Sequence, residues 1–122
     1  VTLCPFEDGV FCGGPWAGRL VAFIDTNMDG RIGARDHVVA IIRPITTGGS
    51  VRWRSFRNRQ YLQFTGAGFT NYQNGNFVYC NETRDRRYSR QIVINVQGRA
   101  RVMSGRDENG YRVDRKGKPL RC

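Results

Sequence analysis

The sequence predicts a mainly β fold built from antiparallel hairpins, and three observations carry that expectation. Fifteen glycines are scattered through 122 residues. Short β-branched and aromatic runs lie between turn-forming residues. No segment sustains an apolar period of 3.6 residues. The length suits one domain, residues 1–122, with a core of its own.

The elements follow in order. Residues 1–15 read as a Gly- and Pro-rich loop closed by a disulfide. Residues 19–25 and 37–43 read as two strands of a hairpin, joined by a polar turn over 26–36 and ended by Pro44. After a loop from Thr46 to Ser50, residues 51–57 alternate. Val51, Trp53 and Ser55 take one face, and Arg52, Arg54 and Phe56 the other. Strands are expected over 60–65 and 77–80, separated by a Gly- and Asn-rich stretch. Residues 82–90 form a charged loop. Residues 91–96 set Ile92, Ile94 and Val96 against Gln91, Val93 and Asn95, and 99–103 resume a strand after Gly98. The tail, 104–122, is basic and poorly patterned, so Cys122 is expected to pin it.

Four cysteines, Cys4, Cys12, Cys80 and Cys122, allow three pairings. The first two are close enough to close a small loop around Asp8, Gly9 and Val10, which leaves Cys80 for Cys122. Zinc would want close-spaced ligand pairs, and neither a CxxC nor a suitably placed His accompanies them. Two disulfides place the chain in the periplasm or outside the cell. No stretch is apolar enough to span a membrane and no signal peptide is visible, so an N-terminal targeting or anchoring segment is expected ahead of Val1.

The formal net charge is +10 and is uneven. Residues 1–42 carry three basic and five acidic side chains, a net of −2; residues 43–122 carry seventeen and five, a net of +12. Eighteen of the twenty basic residues are Arg, the others being Lys116 and Lys118. The guanidinium fork matches phosphate and stacks on bases, whereas solubility would be served as well by Lys. A polyanionic partner is therefore expected: nucleic acid, anionic lipid or acidic polysaccharide.

Three motifs bear on chemistry. Asp25, Asn27, Asp29, Gly30 and Asp36 fall at positions 1, 3, 5, 6 and 12 of a calcium loop. Position 12 is Asp rather than Glu, and the flanks read as strands rather than helices. A hairpin turn explains the same residues, with calcium binding left open. Catalysis lacks its parts: His37 is the one histidine, the acids Glu7, Asp8, Asp107 and Glu108 sit in turns, and no cysteine is left as a nucleophile. No cofactor is called for. The basic system is the third. Arg52, Arg54, Arg57 and Arg59 surround Trp53 and Phe56, and Arg84, Arg86, Arg87 and Arg90 flank Tyr88. Arg106, Arg112, Arg115, Lys116, Lys118 and Arg121 fill the tail. Arg99 and Arg101, two apart on a strand, would share a face about 7 Å apart, a spacing suited to adjacent phosphates. Gly98 before them would permit a bulge or a close backbone approach.

Several of these residues, taken in order, resemble the heads of minor pilins of the FimT/GspH type, found in type IV pili and type II secretion pseudopili. The resemblance runs through Cys4-Pro5 with Cys12, Trp16-Ala17-Gly18 into Leu20–Asp25, and the Asp-Asn-Asp-Gly hairpin before Val38–Arg43. It continues through Phe64 with Gly66 and Gly68, Gly75-Asn76-Phe77 to Cys80, and Arg90–Ile94 into Gly98-Arg99. It implies two packed antiparallel sheets behind an N-terminal hydrophobic helix that this chain lacks. It also implies prepilin-peptidase cleavage, other major and minor pilins as partners, and passage from the inner membrane to the pilus. Within the family, FimT proteins of transformable bacteria look like DNA receptors with a Gly-Arg-x-Arg motif, which Gly98-Arg99-Ala100-Arg101 matches. The resemblance thus implies non-specific binding of double-stranded DNA by Gly98, Arg99 and Arg101, with Arg106, Arg112, Arg115, Lys116 and Lys118 adding attraction. A minor pilin that primes assembly without touching DNA is the alternative.

Overall fold

The computed structural model describes residues 1–7, 9 and 11–122. The turn expected at Asp8 and the loop position expected of Val10 lie outside the described residues. Two four-stranded antiparallel sheets form the architecture. In chain order the strands are β1 (Thr2–Pro5), β2 (Leu20–Ile24), β3 (His37–Ile42), β4 (Ser50–Ser55), β5 (Leu62–Gln63), β6 (Gly75–Cys80), β7 (Arg90–Ile94) and β8 (Ala100–Met103). The first sheet runs β3-β2-β1-β5 and the second β4-β6-β7-β8. No helix among the described residues is long and apolar enough to cross a membrane.

The sheets meet through Leu3, Leu20 and Leu62 on one side and Val51, Trp53, Phe77 and Ile94 on the other. Trp16, from the segment before β2, wedges against Trp53 and Phe77, and the last two rings stack at 4.4 Å. The outer face of the first sheet is covered by Phe6, Cys12, Ile32 and Tyr61, which pack on Cys4, Val21 and Phe23. The outer face of the second is covered by the tail, where Leu120 packs on Val78 and Cys80. Both disulfides pair as the spacing predicts, Cys4–Cys12 and Cys80–Cys122. The first ties Cys12 to β1, and the second ties the tail to β6.

Several expectations are corrected. The segment read wholly as loop begins with β1, which lies between β2 and β5. Pro5 is tolerated there because β5 reaches only Thr2 and Leu3, so no neighbour on that side asks for its missing N–H. The strand expected over 51–57 stops at Ser55. Ser55 Oγ accepts the Arg59 N–H and Arg57 turns left-handed, so the chain leaves the ladder after Phe56, whose N–H still bonds the Asn74 carbonyl. Of 60–65 the strand keeps only Leu62–Gln63, with Phe64 forming an isolated bridge to Thr70, whereas the strand before Cys80 starts earlier, at Gly75. The charged 82–90 loop holds a single 3-10 turn, Arg86–Tyr88, and ends in β7.

The alternation in β7 also departs from expectation, since Gln91 is 8% exposed and Ile92 37%. Gln91 lies opposite Val78, which Leu120 of the tail covers, so this part of the face is interior, while the row through Val93 on the same face ends in exposed Arg54 and Arg101. The Gln91 amide donates to Asn76 Oδ1. The turn between β2 and β3 uses its carboxylates on its own backbone N–H groups and on nearby threonine hydroxyls. Asp25 accepts from Gly30 N–H, Asp29 N–H and Thr2 Oγ1, and Asp36 accepts from Gly33 N–H, Thr26 N–H and Thr26 Oγ1. These bonds build the hairpin reading of the Asp25–Asp36 motif. Among the described residues no cluster of three metal-ligating side chains forms.

Candidate nucleic-acid interface

Residues 95–98 turn the chain from β7 into β8. The Asn95 side chain accepts the Arg99 N–H at 2.9 Å, and the Asn95 N–H donates to the Arg99 carbonyl at 3.1 Å. Gly98 has φ +81°, and a Cβ there would collide with the Gly68 carbonyl. Of the two roles foreseen for this glycine, the close approach is the one present. It locks the turn against the 66–70 loop.

Arg99 stands one residue ahead of β8 rather than within it, and Arg101 lies on β8, opposite Val93. Both are exposed. The register places Arg54, Asn76, Val93 and Arg101 in one row across the second sheet, so Arg54 and Arg101 mark the two ends of a row on one face. The one ion pair among the described residues joins Arg87 to Asp85, so neither Arg99 nor Arg101 is neutralised by a neighbouring strand. Their charge faces solvent.

The other basic residues divide. Arg115, Lys116 and Lys118 are exposed on a turn that Asp114 organises by accepting the N–H groups of Lys116 and Lys118. Arg106 is tied down, donating to the carbonyls of Arg87 and Gly110. Arg112 donates to the Ser104 carbonyl and is half-buried. Desolvation, then the nearby charges of Arg106 and Arg90, pull its guanidinium below its ordinary value. These two brace the tail as well as charge it. The group beside Tyr88 is similarly occupied. Arg84 bonds the Cys122 carbonyl, Arg87 grips Asp85, and Arg86 lies over the Tyr111 ring.

Sequence reasoning passed over Arg54 as a partner of Arg101, because only the strand register brings them into one row. It also grouped Trp53 with the arginines around it, whereas the ring is core and the arginines alternate outward. His37 is exposed at the start of β3, next to Asp36, whose carboxylate is held by the Gly33 and Thr26 N–H groups.

A two-sheet β head stapled by two disulfides defines a class of extracytoplasmic domain. The sequence model of the family described as Type II transport protein GspH matches residues 1–98, and the chain belongs to that family. No curated protein and no solved structure matches. Members of this family are minor pilins and pseudopilins, periplasmic and pilus-associated in general, with a structural rather than enzymatic role. The matched region stops at Gly98, so Arg99, Arg101 and the basic tail lie beyond it.

Proposed function

We propose that this head belongs to a minor type IV pilin that binds extracellular double-stranded DNA without sequence preference, for uptake in natural transformation. The supporting observation is the Gly98–Arg101 turn. Gly98 fixes it in place, and two exposed guanidiniums with no carboxylate partner follow within three residues. Phosphate contacts of this kind position a duplex without reading its bases. The exposed turn at Arg115, Lys116 and Lys118 adds attraction at longer range, while Arg106 and Arg112 contribute charge from fixed positions. Affinity in the micromolar range or weaker is expected, with several pilus subunits raising avidity. The double variant R99A/R101A tests the assignment. It keeps the fold, binds duplex DNA more weakly, and has a log–log salt slope shallower by about 1.8, from about 0.9 per lost phosphate contact. Unchanged affinity in a folded variant removes the site.

A second reading has its own observation. Strand β3 is an edge strand exposed along its whole length, with Val39 and Ile41 each 60% exposed. Apolar edges of this kind pair with other chains. A structural minor pilin that primes assembly would use such an edge and need no DNA. A head that fails to retard DNA at low salt, yet associates with other pilins, would follow this second course.

A further inference from the structure

A cleft of about 270 Å³ lies between the β4–β5 connection, the loop at 71–73 and the β2–β3 turn. It is lined by Phe56, Arg57, Arg59, Tyr61, Tyr72 and Met28. Two features set it apart from ordinary surface. The first is aromatic exposure, for Tyr72 is 81% exposed and Phe56 54%. Rings that large gain little from folding when left in water. The second is the backbone. Five described non-glycine residues hold a left-handed φ, and three of them, Met28 (+58°), Arg57 (+62°) and Tyr72 (+56°), line this cleft. Such conformations are costly for L side chains and persist only where the surroundings enforce them.

Here the enforcement is visible. Gln73 is buried, accepts the Gln63 N–H and donates to the Tyr61 carbonyl, both at 2.6 Å. Asn71 donates to Gln63 Oε1 at 3.0 Å. The residues on either side of Tyr72 are thus fastened to β5, and the ring between them is held out in solvent. Charge completes the arrangement. The Arg57 guanidinium lies 5.2 Å from the Phe56 centroid, and Arg59 donates to Tyr61 Oη at 2.7 Å. No carboxylate lines the cleft among the described residues.

From this geometry we infer that the cleft takes unpaired nucleotides of single-stranded DNA, its rings stacking on bases and Arg57 and Arg59 meeting the phosphates. Exposed rings beside guanidiniums suit a base that has left its stack, and a paired base offers no free face. The position agrees. Phe56 N–H bonds the Asn74 carbonyl and Asn95 N–H the Arg99 carbonyl, extending the Ser55–Gly75–Ile94–Ala100 row by one residue. Phe56 and Arg99 therefore sit at the same end of the second sheet, three strand spacings or about 14 Å apart. The cleft carries the proposal by its own geometry, and the Arg99–Arg101 reading adds only a direction in which the strand would continue.

The test uses the 122-residue protein with three labelled probes: an oligothymidylate of about twelve nucleotides, its abasic counterpart, and a blunt duplex capped at both ends by runs of G·C pairs, which offers no unpaired base. The variant F56A/Y72G removes both rings, and Gly suits the φ of Tyr72, so the fold and Tm are kept. The expected result is that this variant binds oligothymidylate about fivefold or more weakly and binds the capped duplex as before. The native protein should disfavour the abasic strand by a similar factor. Three results would overturn the proposal: no binding of oligothymidylate by the native protein, equal binding of abasic and oligothymidylate strands, or an F56A/Y72G variant unchanged toward oligothymidylate. R99A/R101A separates the two sites. Loss of capped-duplex binding in that variant speaks to the duplex site alone, and oligothymidylate binding by a protein that ignores the duplex upholds the cleft while removing the duplex reading.

Discussion

The Cys80–Cys122 bond is the main restraint on the tail, and cutting it shows how the tail is held. The bond spans 42 residues, against 8 for Cys4–Cys12. In the chain-entropy treatment, loops of those lengths stabilise by about 4 and about 2.5 kcal/mol at 25 °C. The tail's other anchors are modest. Leu120 packs on Val78 and Cys80, and burying a leucine contributes roughly 1.5–3 kcal/mol. A few hydrogen bonds, such as Arg112 N–H to the Arg86 carbonyl and Arg84 to the Cys122 carbonyl, add to it. The variant C80A/C122A is therefore expected to release the tail while the sheets persist. Urea titration followed by the fluorescence of Trp16 and Trp53 should show a loss of stability of up to about 4 kcal/mol, larger than in C4A/C12A. Hydrogen exchange should show protection lost across 104–122 and kept in β6 and β7. A tail as protected as before, with a loss under about 1 kcal/mol, would refute the reasoning.

Two further outcomes follow from the turns. Gly98→Ala forces a Cβ into the Gly68 carbonyl at a φ of +81°, so the 95–98 turn must move away from the 66–70 loop. Thermal unfolding should show at least about 1–3 kcal/mol of destabilisation, and duplex binding should weaken as Arg99 shifts. A variant as stable as the native protein would contradict the close approach. Asp36 is held below its ordinary carboxylate value chiefly by the Gly33 N–H, then by Thr26, against an opposing effect of burial. A depressed native value means that this stabilisation is complete above the ordinary carboxylate range and disappears as pH falls through the native value. Asp36→Asn should therefore lower Tm at neutral pH, and the gap from the native protein should close in acid. A gap that widens in acid would reverse the sign of the account.

Much of the first sheet was legible. The β2–β3 hairpin announced itself by two β-branched runs around Asn27, Asp29 and Gly30, and the short Cys4–Cys12 spacing identified its own partner. Strand β1 was hidden because Thr2, Leu3, Cys4 and Pro5 form a run too short and too mixed to show a period, and tertiary pairing on both sides decides its conformation. Gln63 and Gln73 were unreadable as interior residues, since an amide is buried only where partners meet it, and those partners are remote in sequence. The same limit applies to the site. Gly98-Arg99-Ala100-Arg101 stood out as a local motif. Arg54 joins Arg101 only through the β4-β6-β7-β8 register, and Tyr72 gave no sign beyond being an aromatic residue in a polar loop.

The most direct test of the DNA-binding account is titration of the purified head with a short blunt duplex at two salt concentrations. The account predicts binding that weakens with salt, with a log–log slope of about −1.8 from Arg99 and Arg101 alone and steeper as the Arg115–Lys118 turn engages. No binding at low salt, or binding indifferent to salt, would contradict it and give the lead to the assembly reading.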